Sequence, residues 1–158
     1  MRVLGIDPGY DRIGVAVIEH DAHGKDILLF SSCIETPRTA PLADRLLMLG
    51  NAVEEIIRTH KPDLVAVETL FFNKNVKTAI GVAQARGAIL YIAKSHHCIV
   101  TEFGPQEIKV ALTGYGKSDK KSVIQMVKRL VRNTPDRAHD DEYDAIAVGV
   151  TALATHRA

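Results

Sequence analysis

The sequence predicts an α/β fold with a five-stranded mixed sheet, in which three antiparallel strands are followed by parallel strands and helices flank the sheet. Three apolar runs near the N-terminus are separated only by short turns, as in an antiparallel meander. Two later apolar runs each follow a segment with helical periodicity, and a strand reached through a helix normally lies parallel to its neighbour. The length of 158 residues predicts a single domain over residues 1–158.

The N-terminal strands begin with an apolar run at residues 3–6 that stops at Asp7. A Pro-Gly turn then breaks the chain, residues 13–18 are apolar again, and residues 26–34 form the third run. Asp7 therefore lies where the first strand leaves the core. An aspartate at such a place commonly caps a turn, and on this stretch alone that interpretation is as good as a catalytic one.

The later elements alternate between helices and strands. Pro41 opens a helix with apolar side chains at helical spacing, and Lys61-Pro62 ends it. The fourth strand, residues 64–67, stops at an acid, Glu68. The remaining predicted elements are a long apolar helix at 73–97, a strand at 98–101, a short helix at 104–112, a loop at 114–118, a basic helix at 119–132 and a last helix at 137–153.

Two carboxylates are expected at one end of this sheet. If the first and fourth strands are parallel neighbours, Asp7 and Glu68 emerge together at their carboxyl ends, which is where ligand sites form in open α/β sheets. The last helix adds acids in the segment HDDEYDAIAVGV. The helix dipole alone accounts for acids in a first turn, such as Asp140 and Asp141. Asp144 lies deeper, on the same face as Asp141, where an apolar residue is expected.

Convergence of these acids requires cations. Two carboxylates about 4 Å apart repel by roughly 4 kcal/mol at an effective dielectric constant of about 20. A ligand set made only of carboxylates, here Asp7, Glu68, Asp141 and Asp144, suits hard cations such as Mg²⁺, with Mn²⁺ as a substitute. Two such ions about 3.5–4 Å apart activate a water and stabilise the leaving oxygen in phosphodiester hydrolysis. The residues therefore predict phosphoryl transfer to water with two Mg²⁺ ions per subunit.

The net charge of +1 conceals segregated charges. Residues 109–132 contain seven basic side chains against Asp119 alone, whereas residues 136–144 contain five acids against Arg137. This arrangement indicates a polyanion held beside metal-binding carboxylates. Two solvated helical faces of opposite sign would produce the same pattern.

The expected compartment is the cytoplasm, without contact with a membrane. The two cysteines, Cys33 and Cys98, fit no zinc spacing and are expected to be packing residues in a reducing compartment. Charged residues close to the N-terminus argue against a signal peptide. No apolar run approaches the roughly 20 residues of a membrane span.

Four motifs resemble the RuvC family of Holliday-junction resolvases: GIDPG, VETLFFNKN, AQARG and HDDEYDAIAVG, in an order that spans nearly the whole chain. The resemblance implies a ribonuclease H-like fold and cleavage of four-way DNA junctions in homologous recombination and DNA repair, leaving 5′-phosphate and 3′-hydroxyl ends. It also implies that Asp7, Glu68, Asp141 and Asp144 are the four catalytic acids, although many members have His in place of Asp141. Whether His139 or Asp140 assists them stays open.

The predicted DNA-binding residues are one aromatic and six lysines: Phe71, Lys74, Lys77, Lys109, Lys117, Lys120 and Lys121. By resemblance, Phe71 stacks on bases at the junction centre, a role that exposed aromatics beside a nuclease site can take. Lys109 and Lys120 match basic positions that the family uses in junction binding and cleavage. Lys117 and Lys121 are expected to contact phosphates, which position DNA without reading its sequence. A solvated lysine face is the alternative.

The expected partners follow from the substrate. A four-way junction has approximate two-fold symmetry, so a C2 homodimer with two sites matches it, as in the family. The helix around residues 81–92 is apolar nearly all round, and we expect it to form that interface. The resemblance also implies the RuvA–RuvB branch-migration complex as a partner.

Two other functions are less consistent with the sequence. An actin-like ATPase or a sugar-kinase-type phosphate-binding domain opens with a similar strand and turn. Such proteins need a second glycine-rich phosphate turn and usually a second domain, and this chain is too short for two domains. A catalytically dead junction-binding scaffold is disfavoured because all four acids are present.

Overall fold

The computed structural model describes residues 1–9, 11–69 and 76–156, except for the side chains of Val76 and Lys77. Within these ranges six strands form one sheet: β1 Arg2–Asp7, β2 Arg12–His20, β3 Asp26–Glu35, β4 Leu64–Glu68, β5 Ile99–Phe103 and β6 Val131–Arg132. The helices are α1 Leu42–His60, α2 Val76–Ser95, α3 Pro105–Thr113, α4 Lys120–Leu130 and α5 Asp140–Thr155. The strand order is β5-β4-β1-β2-β3-β6.

The predicted mixture of antiparallel and parallel strands is confirmed. β1 pairs antiparallel with β2, and β2 pairs antiparallel with β3. β4 lies parallel to β1 on its other side, and β5 lies parallel to β4. β1 is apolar and buried from Val3 to Ile6 because both faces of this central strand are covered, so this part of its sequence shows no alternation.

The prediction of five strands is wrong by one short strand. The basic helix predicted to reach residue 132 ends at Leu130, and Val131–Arg132 pair in parallel with Asp26 and Ile27. Val131 has an extended backbone and is 3% exposed, because its side chain packs into the core beside β3. A two-residue strand has no periodicity of its own, so no pattern in the sequence could predict it.

The sheet separates two apolar layers. Successive side chains of a strand point to opposite faces, so Val3 packs with the layer of α3, α4 and α5, and Leu4 packs with the layer of α1 and α2. Both side chains have no exposed surface. No helix among the described residues is long and apolar enough to cross a membrane.

Helix α5 packs unusually close to the sheet. A row of small residues, Ala66, Gly5 and Ala16, runs side by side across β4, β1 and β2. A methyl group on Gly5 would overlap the backbone of Ala145 and would lie 2.7 Å from the backbone nitrogen of Gly149. The missing side chain at Gly5 therefore sets how deeply α5 sits on β1.

Replacing Gly5 by alanine should destabilise the fold by about 1–3 kcal/mol, because the new methyl meets helix backbone that can move only as a unit. The measurement is denaturant unfolding. The matched control is Gly50→Ala in α1, where the nearest atom is the terminal Cδ1 of Ile92 at 3.1 Å. Gly50→Ala should be less destabilising than Gly5→Ala, because the Ile92 side chain can move. Alanine also favours a helix over glycine by up to about 1 kcal/mol. Equal losses in both variants would contradict the close-packing argument.

Candidate active site

Strands β1 and β4 bring Asp7 and Glu68 to the same end of the sheet. The two strands are parallel neighbours, and the register pairs Ile6 with Val67, so the next residue of each strand is an acid. Asp7 also faces Gly14 across the β1–β2 hairpin. The expectation that these two carboxylates emerge together is confirmed.

Helix α5 brings Asp141 and Asp144 to this place. A methyl group on Gly14 would overlap the backbone carbonyl of Asp141, so the first turn of α5 rests directly on β2. The last helix was expected to begin at about residue 137, within 2–4 residues, and its observed start lies within that margin. It begins at Asp140, because the backbone N–H of His139 donates to the Glu142 carboxylate at 3.3 Å and the chain is extended before that point.

Three of these acids are held in unfavourable surroundings for a negative charge. Burial, followed by the charges of Glu68, Asp144 and Asp141, raises the pKa of Asp7 from 3.8 to about 8. Burial and the Asp144 charge raise the pKa of Glu68, although a hydrogen bond with Asp7 opposes this shift. Burial also raises the pKa of Asp144, against the opposing effect of Lys120. The site therefore holds more carboxylate than the protein neutralises.

Two cationic side chains pair with the acids of α5. The Lys120 ammonium lies 2.9 Å from Asp144 Oδ2 and 3.3 Å from Asp140 Oδ2. The Arg12 guanidinium lies 2.7 Å from Asp141 Oδ2. Asp140 is therefore an ion-pair partner of Lys120 in this structure, which is a role that the sequence left open.

A cavity of about 210 Å³ opens between Glu68 and Asp144. Lys109 and Lys120 line it together with apolar side chains of α3 and α4. Its polar wall thus combines two carboxylates with two ammonium groups, and the ammonium groups suit a phosphate.

The four acids do not form one tight cluster. Among the described residues, no three of these carboxylates bring ligand oxygens all within 4.8 Å of one another. Asp7, Glu68 and Asp144 act on each other electrostatically, while the carboxylate of Asp141 is directed to Arg12. Asp141 also acts electrostatically on Asp7 and Asp144, while its carboxylate pairs with Arg12, so the four acids are neighbours without sharing one point. The donor set still consists of carboxylate oxygens, as hard divalent cations prefer.

The predicted DNA-binding residues are placed unevenly. Lys109 and Lys120 line the cavity, whereas Lys117 and Lys121 are exposed and do not line it. Phe71, Lys74 and the side chain of Lys77 lie outside the described residues, so their roles stay predictions.

Sequence reasoning missed Arg12 and Gly14 as parts of the site. Both lie on β2, directly after the turn that follows Asp7, so the hairpin itself was the available signal. Gly14 pairs with Asp7 across the two strands. Arg12 is the first residue of β2 and lies two residues before Gly14. The contact with α5 gives both residues their roles, and that contact is remote in sequence.

Comparisons with known proteins agree with this geometry. A family model described as crossover junction endodeoxyribonuclease RuvC matches residues 3–152. The enzyme of that name from Fusobacterium nucleatum is 36% identical over 153 residues, which cover 97% of this chain and 80% of the relative. The one from Thermotoga petrophila is 40% identical over 149 residues, which cover 94% of this chain and 89% of the relative.

Solved structures show the same architecture. Thermus thermophilus RuvC matches with a TM-score of 0.87 and 32% identity, over 98% of this chain and 95% of that chain. The T. thermophilus RuvC in complex with a Holliday junction substrate matches with the same TM-score of 0.87 at 29% identity, over 98% of this chain and 95% of that chain. The yeast mitochondrial Holliday junction resolvase, with a TM-score of 0.68 and 16% identity over 96% of this chain and 78% of that chain, shares the fold.

Asp7→Asn should stabilise the metal-free protein at pH 8. The folded state holds a proton on Asp7 up to a pKa of about 8, whereas the unfolded state loses it near 3.8. The free energy of unfolding should therefore fall as the pH rises from 3.8 to about 8. Asparagine has no proton to lose in this range, so Asp7→Asn should remove the contribution of residue 7 to that fall. We expect a gain in Tm of at least about 2–4 °C at pH 8 and a smaller gain at pH 5.

The measurement is thermal unfolding in EDTA at pH 5, 6.5 and 8, with the exposed acid Asp44→Asn as the control. Excess Mg²⁺ should raise the Tm of the unsubstituted protein at pH 8 more than that of Asp7→Asn. A wild-type Tm that does not change between pH 5 and 8 would contradict the raised pKa.

Proposed function

Because the chain belongs to the RuvC family of crossover junction endodeoxyribonucleases, we propose that its carboxylate site cuts four-way DNA junctions by metal-dependent hydrolysis. The protein is a Holliday junction resolving endonuclease of homologous recombination and DNA repair. The observation that supports this site is the meeting of Asp7, Glu68 and Asp144 at one end of the sheet, with the pKa of all three raised.

Asp7, Glu68, Asp141 and Asp144 would hold two Mg²⁺ ions per subunit, for which Mn²⁺ would substitute. When bound, such ions supply Lewis-acid activation of the attacking water and of the leaving oxygen. The raised pKa values support this assignment, because cations favour the ionised carboxylates that burial and mutual repulsion disfavour. Hydrolysis in this family would leave 5′-phosphate and 3′-hydroxyl ends.

Lys109 and Lys120 would hold a phosphate of the DNA backbone beside the acids. Both ammonium groups line the cavity that Glu68 and Asp144 also line. Two acids near the start of α5, Asp140 and Asp144, position Lys120 by ion pairs. Phosphate contacts of this kind set the place of the cut without reading bases. Phe71, Lys74, Lys77, Lys117 and Lys121 would extend the DNA surface beyond the cavity.

A homodimer through the layer of α1 and α2 is the second part of the proposal. The buried side of α2 packs on the core through Ala85, Ile89 and Ala93. On its other side Ile80 is 64% exposed and Tyr91 is 75% exposed. The neighbouring helix α1 exposes two more large apolar side chains, Leu47 and Met48. An exposed apolar surface shared by two packed helices is typical of a protein–protein interface.

The remaining expectations follow from family membership. The nuclease domain would comprise residues 1–158 as one unit, act in the cytoplasm and cooperate with the RuvA–RuvB branch-migration complex. The alternative of an actin-like ATPase or sugar kinase is replaced by the family assignment. The alternative of a dead scaffold is opposed by the four acids, which are all retained.

Asp7→Asn should abolish cleavage and preserve junction binding, because it removes a metal ligand and leaves the basic surface unchanged. We expect the cleavage rate of a mobile four-way junction in Mg²⁺ to fall by more than about 100-fold. The unsubstituted protein should lose activity in EDTA. Asp44→Asn should cut at the normal rate. An Asp7→Asn variant that still cuts would show that the site lies elsewhere.

Lys120→Ala should weaken junction binding and flatten its dependence on salt. One phosphate contact contributes about 0.9 to the slope of log affinity against log salt concentration, so the slope should fall by about one. Lys25→Ala, an exposed lysine in the turn before β3, is the control and should leave the slope unchanged. Equal slopes for wild type and Lys120→Ala would exclude the phosphate contact.

Introducing charge on the exposed side of α2 should dissociate the dimer. We expect the wild type to sediment as a dimer at micromolar concentration and Ile80→Glu/Tyr91→Glu to sediment as a folded monomer. Tyr115→Glu is the matched control, because Tyr115 is 61% exposed and lies outside the α1–α2 layer. A monomeric wild type, or a dimeric double variant, would refute this interface.

A further inference from the structure

A second group of metal-ligating side chains lies beside the carboxylate site. The ligand atoms of Cys33, Glu35 and His139 all lie within 4.8 Å of one another. Cys33 is half-buried, while Glu35 and His139 are exposed. An ion arriving from solvent therefore has access to a thiol, a carboxylate and an imidazole at one place.

Two segments that are remote in sequence build this group. Cys33 and Glu35 are alternate residues of β3, so their side chains share one face of the strand. The same face carries Ser31, whose hydroxyl donates to Glu142 in the first turn of α5 at 2.8 Å. His139 directly precedes that helix. The face of β3 thus meets the start of α5, which explains why the linear spacing of the cysteines indicates no zinc site.

We propose that Cys33, Glu35 and His139 bind one Zn²⁺ ion at a site separate from the Mg²⁺-binding carboxylates. Sulfur, nitrogen and oxygen donors from three side chains, with water as the fourth ligand, form an open tetrahedral zinc site. A thiolate and an imidazole select Zn²⁺ and disfavour Mg²⁺, which requires oxygen ligands. On binding, the Cys33 thiol passes its proton to solvent and a sulfur–zinc bond forms.

The surrounding charges favour a cation here. Burial, followed by the carboxylates of Asp141, Glu35 and Glu142, raises the pKa of the Cys33 thiol to about 11, against the guanidinium of Arg12, so the thiol is protonated until a cation replaces the proton. Three negative charges thus oppose one positive charge. The Arg12 side chain is 47% exposed, so it has room to turn towards solvent when an ion enters.

Zinc bound here would act on the nuclease site through Asp141. The Cys33 thiol donates to Asp141 Oδ2 across 3.9 Å, so the two sites share this neighbour. A zinc ion on Cys33 would attract the Asp141 carboxylate and compete with Mg²⁺ for it. Zinc should therefore inhibit cleavage. This consequence rests on the proposed function of Asp141, whereas zinc binding itself does not.

The test uses the full chain, stripped with EDTA and desalted, in a large excess of Mg²⁺ that saturates the carboxylate site. Titration with Co²⁺ should produce the thiolate-to-cobalt charge-transfer absorption, and competition with a chromophoric chelator should give one Zn²⁺ per chain. Cys33→Ser should abolish the absorption and weaken zinc affinity by at least about 10-fold. His139→Ala, an exposed residue on the other segment, should weaken affinity by a similar factor.

Cys98→Ser is the matched control, because that thiol is buried and donates to the carbonyl of Pro62 at 3.5 Å. It should retain the absorption and the affinity of wild type. Equal zinc affinity in wild type, Cys33→Ser and His139→Ala, or an absorption that persists in Cys33→Ser, would overturn the proposal. In the cleavage assay, added zinc should inhibit wild type and Cys98→Ser more than Cys33→Ser. If the wild type cuts no junction, the proposed function is refuted. The zinc titration still tests zinc binding in that case, because it does not depend on cleavage.

Discussion

Repulsion among partly buried carboxylates is the constraint on which this site depends. Asp7, Glu68 and Asp144 all have raised pKa values, with burial as the largest cause for each. Lys120 compensates Asp144, and a hydrogen bond joins Asp7 to Glu68, yet neither removes the excess of negative charge. A fold that retains such a group gives up stability, and in the proposed function it gains affinity for divalent cations in return. This is the usual relation between a strained functional site and the scaffold around it.

The scaffold tolerates this arrangement because α5 is seated tightly on the sheet. Gly5 and Gly14 remove side chains at the two points where the helix backbone meets β1 and β2. On the buried side of α5, Ile146 and Leu153 have no exposed surface, so the helix is anchored by apolar packing along its length. The acids at its N-terminal end are thereby carried on a rigid element, as their proposed catalytic role requires.

The two proposed functions, DNA cleavage and dimerisation, lie on opposite faces of the sheet. The layer of α3, α4 and α5 supplies the two lysines of the cavity and Asp144, and Glu68 comes from the end of β4. The layer of α1 and α2 covers the other face and exposes Ile80 and Tyr91. A dimer formed through that second layer would leave both cavities accessible to DNA. Cys33, Glu35 and His139 lie on the α5 side of the sheet. A zinc ion bound there would therefore act on the carboxylate site and would not contact the proposed dimer interface of α1 and α2.

The sequence by itself determined the order of the elements and the acids that end two of the strands. Those features are local, because an apolar run that stops at Asp7 or Glu68 is visible in a few residues. The added strand β6, the Arg12–Asp141 ion pair and the meeting of Cys33 with His139 were decided only by the tertiary structure. Each joins segments far apart in the chain, and its geometry depends on strand register and on the depth of α5, which no local pattern encodes.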